Sequence, residues 1–359
     1  MKKSTFCPWM SSIAIFFLLT NVVNGQTNSI KALPSAVKKV VKDFVFVEGG
    51  TYVHNLMQGF DSLQSEVATR ENVRSFYLNR FEISVEEYLR FANSTDNPAA
   101  LYDSTCWTRN YPQAYNEPLE RNYFWFPMYR QHPMVCITWE QANLYCKWRS
   151  AELNRLLQDT LYKIEVRLPT EAEWQYAAIS VVYDPNNNDL ASDRKYFPWQ
   201  GPFFTEQKKG GFYANCNSGQ IKSSESALLM AMHQDGFLYT APIKSYSPNG
   251  LGLYQMAGNV AEWTSDRYFV DTALVKQQLE EIELLYPDEA KEQEKYLKIL
   301  RNARYNNYGI IKGGSWYDSA FYMQLGVFQI QDTKQARCTT GFRPALIVTK
   351  QKDAKQRRQ

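Results

Sequence analysis

Few residues in this chain could do covalent or redox chemistry, and their spacing limits what that chemistry could be. The three histidines are His54, His132 and His233. No two lie three or four residues apart, so a two-histidine, one-carboxylate iron site is not indicated. His132 precedes Pro133 where a strand starts, a position that favours a structural hydrogen bond over metal ligation. Beyond Cys7 the cysteines are Cys106, Cys136, Cys146, Cys216 and Cys338, with no Cys-x-x-Cys among them. Their odd number leaves at least one unpaired. Cys146 sits in Ala142–Trp148, which reads as an amphipathic helix with a small buried thiol. No Ser/His/Asp constellation, phosphate-cradling glycine loop or nucleic-acid motif stands out.

Composition narrows the class further. The chain has 359 residues, enough for one large core. Hydrophobic residues make up 44% and charged residues 21%, which is the balance of a globular protein and not of a disordered one. Aromatics reach 15%, pointing to a loop-rich domain pinned by Tyr and Trp side chains. The net charge of +3 gives no global field to recruit nucleic acid or an anionic membrane. Lys2 and Lys3 before the apolar run Ile13–Leu19, with Val23-Asn24-Gly25 ahead of Gln26, read as a signal peptide over 1–25. That run is too short to span a bilayer, so the expected product is an exported, soluble protein with no direct membrane span.

The elements that would position a site alternate short strands with capped helices. Residues 26–42 read as a linker or short helix. The main domain is expected over 43–348, opening on the strand Phe44–Val47, a Gly49-Gly50 turn and Thr51–Val53. Phe76–Ile83, Met134–Ile137 and Val166–Pro169 read as strands, each followed by a helix start: Ser84-Val-Glu-Glu87, Thr138-Trp-Glu-Gln141 and Thr170-Glu-Ala-Glu173. In each, the hydroxyl can accept from the third N–H while the third side chain reaches back. This implies one α+β domain. Residues 184–250 are rich in Asn, Gly, Pro and Ser, a stretch that needs a bound cation or dense hydrogen bonding to fix it. Residues 269–305 read as a helical insertion divided at Pro287, and 349–359 as a basic disordered tail.

Several motifs in order give these elements a family. They are His132-Pro-Met-Val135 with Trp139, Arg167-Leu-Pro-Thr-Glu-Ala-Glu-Trp174, Pro198-Trp-Gln-Gly201, Asn249-Gly-Leu-Gly-Leu-Tyr254, Gly258-Asn-Val-Ala-Glu-Trp263, Gly313-Gly-Ser-Trp316 and Gly341-Phe-Arg343. Over roughly residues 44–348 the chain resembles the formylglycine-generating, or sulfatase-modifying-factor, enzymes, whose fold is loop-rich and C-type-lectin-like. Tyr115-Asn-Glu-Pro118, Tyr123-Phe-Trp125, Gly313–Asp318, Gln324-Leu-Gly326 and Gln331-Asp-Thr333 resemble the gliding-motility and type IX secretion proteins of the GldK/PorK type. Those form a periplasmic ring beneath the outer membrane. Recognised members are lipoproteins, whereas here Cys7 precedes the apolar run and the next cysteine is Cys106. The chain therefore reads as a paralogue or as a subunit held by a partner.

The resemblance carries specific implications. In catalytic members, copper-binding cysteines occupy the positions of Asp318 and Met323, and a carboxylate with a thioether cannot reproduce a bis-thiolate Cu(I) site. No copper and no formylglycine synthesis are expected. Two calcium sites would map to Asn215, the Cys216 carbonyl, Asp235 and the Phe237 carbonyl, and to Gln255, the Gly258 and Val260 carbonyls and Glu262. Hard oxygen donors of this kind suit Ca²⁺ in a structural role. The bland alternatives are a turn at Asp235-Gly236 and a Glu262–Arg pair. Arg167, Glu171, Glu173 and Trp174 are scaffold in the family, and Arg343 is expected to pair with a capping-box glutamate. The resulting reading is a non-enzymatic periplasmic interaction component, with secretion-ring proteins or a second copy as partners. The segment Tyr111–Tyr129 and the insertion 269–305 are the contact surfaces it implies, with Trp107, Tyr123 and Trp125 as hot spots. The competing classes are an oxidase with a non-standard metal site and a lectin-like binder of peptide or glycan.

Overall fold

The computed structural model describes residues 33–58, 67–111, 118–158, 161–179, 197–199, 211–217, 235–269, 272–285 and 307–351, with isolated positions 294 and 297. The segment read as a signal peptide, Pro287 and nearly all of the residues read as a basic tail lie outside these residues. From Ser35 onward the chain forms one compact unit. Its elements are α1 (Ser35–Val40), β1 (Phe44–Val47), β2 (Gly50–Gln58), β3 (Val67–Val73), β4 (Phe76–Asn79), α2 (Val85–Asn93), α3 (Cys106–Asn110), α4 (Leu119–Trp125) and α5 (Trp139–Leu157). Then follow β5 (Tyr162–Arg167), α6 (Glu171–Ile179), β6 (Ala261–Tyr268), α7 (Thr272–Leu285), β7 (Tyr308–Lys312), β8 (Val327–Asp332), β9 (Thr340–Gly341) and β10 (Ala345–Lys350). The mixture of helices and two sheets is the α+β class expected. Of the two readings of 26–42, a linker or a short helix, a helix forms over Ser35–Val40, with Val37 in it and Val41 just after it buried.

One sheet has the order β1-β4-β10-β5 and is antiparallel throughout. The other has the order β3-β2-β8-β7-β6-β9, with β2 parallel to β8 and β6 parallel to β9. One face of β4 and of β10 packs with α6: Phe76, Leu78 and Ala345 join Trp174, Ala177, Ala178, Leu253 and Met256 in one apolar cluster. Burying a side chain of this size contributes about 1.5–3 kcal/mol.

The three helix starts stand where the caps place them. Thr138 Oγ1 accepts from Gln141 N at 3.2 Å while Gln141 Oε1 accepts from Thr138 N at 2.8 Å. Thr170 and Glu173 do the same at 3.1 and 2.9 Å. Ser84 makes only its own half, accepting from Glu87 N at 3.2 Å. Glu87 turns instead to the Tyr145 hydroxyl of α5, which joins α2 to its neighbour.

The strand expected at Met134–Ile137 does not form. Cys136 has φ of 61°, outside β space, so no continuous ladder can run through it. All four residues are still fully buried. Met134 N donates to Ile83 O at 2.7 Å and Cys136 N to Arg337 O at 3.0 Å, so the segment is threaded between two distant parts of the chain.

His132 opens this segment as a buried structural residue, its Nδ1 2.9 Å from Thr240 Oγ1. Burial pulls its pKa down from 6.5 to about 4. The folded protein thus keeps His132 neutral where the unfolded chain would protonate it. As pH falls from 6.5 to 4, stability should drop by up to about 3 kcal/mol through this residue alone. Urea titrations of the wild type and His132→Gln over that range should differ in slope by about one proton. Parallel curves would refute the assignment.

Candidate functional site

The chemistry-bearing residues gather where three glycine turns meet. Gly258 has φ of 74°, and a Cβ there would lie 2.4 Å from Asn215 O, so this turn can approach the 215 loop only as glycine. Asn259 follows, also left-handed at φ 64°, and is fully buried. Its N donates to Asn215 O at 2.9 Å and its O accepts from Trp316 N at 2.9 Å. Its side chain accepts from Ala241 N at 2.7 Å and donates to Glu82 Oε2 at 2.8 Å and to Ala241 O at 3.2 Å. One asparagine therefore ties five separate chain segments together.

Beside it, Glu262 on β6 meets Arg343, both essentially without solvent exposure. Arg343 Nη2 donates to Glu262 Oε1 at 2.6 Å and Nε to Oε2 at 2.7 Å. The remaining guanidinium hydrogens reach the carbonyls of Asn79, Arg80, Tyr254 and Gln255. Trp174 Nε1 donates to Glu262 Oε2 at 2.7 Å. The expectation that Arg343 pairs with a capping-box glutamate is corrected. Glu173 is held by Arg167 at 2.6 and 2.7 Å, and Glu262, on the β-strand beside the Arg343 turn, takes the role instead. Glu171 pairs with buried Lys312 at 2.9 Å. Burial pulls Lys312 down from its usual value while Glu171 opposes that shift. These residues hold one another in ion pairs and hydrogen bonds, and Lys312 was not among the residues singled out in the sequence. Its sequence neighbours gave no sign that it would be buried.

Of the first expected calcium set, Asp235 forms the turn named as its alternative. Asp235 Oδ1 accepts from Phe237 N at 3.1 Å across Gly236, whose φ is 89°. Its Oδ2 accepts from the Tyr246 hydroxyl at 2.6 Å. The charge of Asp235, added to burial, pushes the Cys216 thiol up to about 12. Asn215 is buried next to Cys216, its amide donating to Tyr239 O at 2.6 Å. A carboxylate, an amide and two carbonyls are oxygens of the kind Ca²⁺ takes, and here both Asp235 oxygens already accept hydrogen bonds. The second set fits less well. The Gln255 amide is buried with neither Oε1 nor Nε2 hydrogen-bonded among the described residues, which leaves an oxygen free for a cation. Glu262, the sole carboxylate of that set, is already neutralised by Arg343, and a divalent ion there would face the guanidinium. Among the described residues, no three His, Cys, Asp or Glu side chains are grouped as metal ligands.

Asp318 and Met323 have structural surroundings. Asp318 Oδ2 accepts from Ser315 Oγ at 2.6 Å and Ser315 N at 2.9 Å, and Oδ1 accepts from Gln329 at 3.1 Å. It clamps the turn in which Gly313 and Gly314 have φ of 94° and 66°. Met323 is fully buried against Phe197, Ala214 and Ala257. The hot-spot assignment also needs correction. Trp107 and Tyr123 are 1% and 0% exposed, packed ring to ring at 5.0 Å, and Tyr123 donates to Pro133 O at 2.6 Å. Such residues hold the core and cannot touch a partner. Trp125 is 74% exposed, and Phe126 and Met128, which follow it in the chain, are exposed as well.

Replacing Arg343 by Met should cost about 3–5 kcal/mol, because Glu262 would be left charged and buried. Lys at 343 should restore little, since one ammonium cannot serve the same fork of acceptors. Chemical denaturation measures both, and a loss under about 1 kcal/mol would show that the pair is dispensable.

Comparison with known proteins agrees with this architecture. Residues 30–347 match the sulfatase-modifying factor enzyme 1-like domain. The mouse formylglycine-generating enzyme is 28% identical over 227 residues, covering 56% of this chain and 52% of that protein. The Streptomyces coelicolor enzyme is 37% identical over 137 residues, 38% of this chain and 32% of its own length. A bovine protein named inactive C-alpha-formylglycine-generating enzyme 2 is 29% identical over 139 residues, 38% of this chain and 34% of its own. The matched part is thus about half, or less, of each relative's length. Among solved structures, CarF aligns with a TM-score of 0.52 and 19% identity over 84% of this chain and 97% of that one. PvdO from Pseudomonas aeruginosa gives 0.50 and 16% over 84% and 93%. With a family match running through nearly all of the residues that build these turns, the chain belongs to the sulfatase-modifying factor enzyme 1-like family.

Proposed function

We propose that this protein is a non-catalytic member of its family that serves as an interaction component of the type IX secretion and gliding-motility ring, on the periplasmic side of the outer membrane. The observation that carries the reading is the environment of Asp318 and Met323. At the positions where the resemblance places copper thiolates stand a turn-clamping carboxylate and a core thioether, and neither supplies a soft anionic ligand. That the family includes a relative named inactive accords with this. The sequence pattern of the GldK/PorK type supplies the assembly.

The exposed apolar run Trp125, Phe126 and Met128 supports a contact role, because a protein surface seldom collects such residues without a partner. The insertion after β6 is the second contact surface. Tyr268 pairs with Tyr308, so the whole segment leaves and rejoins one antiparallel hairpin. In this reading calcium is held by Asn215, Asp235 and the carbonyls of Cys216 and Phe237, and it stiffens the loops behind the contact face. No helix among the described residues is long and apolar enough to cross a membrane.

Two experiments test this reading. Mild crosslinking in the native envelope and affinity capture should recover secretion-ring subunits. Trp125→Ala with Met128→Ala should reduce recovery about tenfold or more while leaving the melting temperature unchanged. Replacing 269–305 by a short turn should likewise give a folded protein that fails to assemble. Capture of no ring subunit, with the protein behaving as a free monomer, would discard the ring. Metal analysis of protein prepared without chelators should find calcium and neither copper nor iron, with Asp235→Ala losing it. Stoichiometric copper or iron would revive the oxidase reading, and calcium-free protein would remove the ion from the account.

A further inference from the structure

Three thiols that the sequence scatters over more than two hundred residues meet in one buried place. Cys106, Cys136 and Cys338 are 0%, 0% and 1% exposed. The backbone brings them there. Cys136 O accepts from Asp103 N at 3.0 Å, and Cys106 N donates to Asp103 O at 3.2 Å. On the other side Cys136 N donates to Arg337 O at 3.0 Å. Asn110, at the end of α3, closes the group. Its Oδ1 accepts from Cys106 Sγ at 3.1 Å and from Cys338 N at 3.3 Å. The Cys106 and Cys136 thiols act electrostatically on one another, and Cys338 is within electrostatic reach of both. Cys146 and Cys216 belong to other neighbourhoods, the first within α5 and the second beside Asp235.

We propose that Cys106 and Cys136 are a disulfide-forming pair, with Cys338 the adjacent thiol left reduced. All five described cysteines are free thiols in this structure, so it represents the reduced form. The two-electron oxidant is of the disulfide class, such as oxidised glutathione or a thiol–disulfide oxidoreductase. One cysteine sulfur attacks the oxidant's S–S bond, forming a mixed disulfide and releasing one thiol. The second cysteine sulfur then attacks the mixed disulfide, forming the Cys106–Cys136 bond and releasing the other. The two thiol protons end on the oxidant's two sulfurs, so atoms and electrons balance.

Burial determines when this happens. It pushes the Cys136 thiol well up, its neighbours Cys106 and Cys338 adding to the shift, so the attacking thiolate is scarce once the core has closed. Oxidation belongs to folding, before the segment around Cys136 is sealed. The same burial then shields the bond from reductants. The loop it closes, from Cys106 to Cys136, contains α4 and the exposed Trp125, and links both ends of that excursion to the threaded segment.

The test uses the full chain, refolded from urea with a mixture of reduced and oxidised glutathione. Remaining thiols are alkylated under denaturing conditions, and tryptic peptides are read by mass spectrometry. Arg109, Arg121 and Arg130 separate the two cysteines, and fragmentation distinguishes Cys136 from Cys146 on its peptide. The expected result is a crosslinked pair about 2 Da lighter than the two free peptides, with Cys338 alkylated. The link should persist in Cys338→Ala. The oxidised protein should melt higher than the same sample treated with dithiothreitol, a gain absent in Cys106→Ala. Alkylation of both Cys106 and Cys136, a glutathione adduct in place of the crosslink, or a bond to Cys338 would each overturn the assignment.

Discussion

The buried pair of Glu262 and Arg343 is the constraint on which the rest of this structure depends. Two opposite charges in a dry interior are tolerable only with close geometry and every remaining hydrogen bond satisfied. Arg343 meets that demand by taking carbonyls from Asn79, Arg80, Tyr254 and Gln255 as well as the carboxylate. Those carbonyls come from the end of β4 and from the turn before Gly258. Satisfying one guanidinium therefore fixes the positions of both sheets' ends and of the glycine turns. Trp174 adds α6 to the same carboxylate, so the helix is placed by chemistry as well as by packing.

What the sequence disclosed was local or repeated in pattern. Thr138 with Gln141 and Thr170 with Glu173 announce their helices because a capping box is written within four residues. Phe44–Val47 reads as a strand from its composition alone. The family motifs made the fold class legible because each marks a turn or core position that this architecture requires. What stayed hidden depends on residues far apart in the chain. Nothing local says that Glu262 will meet Arg343 and not a capping glutamate. Trp107 and Tyr123 read as contact residues since aromatic side chains serve surfaces and cores equally well. Only their stacking against each other and against Tyr239, Trp316 and Tyr129 decides for the core. The break at Cys136 was equally invisible, because its left-handed backbone is imposed by pairing to Asp103 and Arg337.

The residues that would distinguish a catalyst from a scaffold sit on the rigid part of this network. The turn carrying Asp318 is bound to the Asn259 hub through Trp316, and Met323 packs beneath it. The side chains that this frame presents at 318 and 323 stabilise the frame itself, one by clamping the glycine turn and the other by filling the core.

The order of strands in the four-stranded sheet has a consequence for how the chain reaches its native state. β10, the last strand made, lies between β4 and β5 and pairs with both. β9, just before it, pairs with β6. Until the final residues emerge, the sheet lacks an interior strand and Glu262 lacks its cation. Contacts of such long sequence separation form slowly, since loop closure must precede them. A chain whose β10 has not yet docked is thus held short of its stable fold by its own topology.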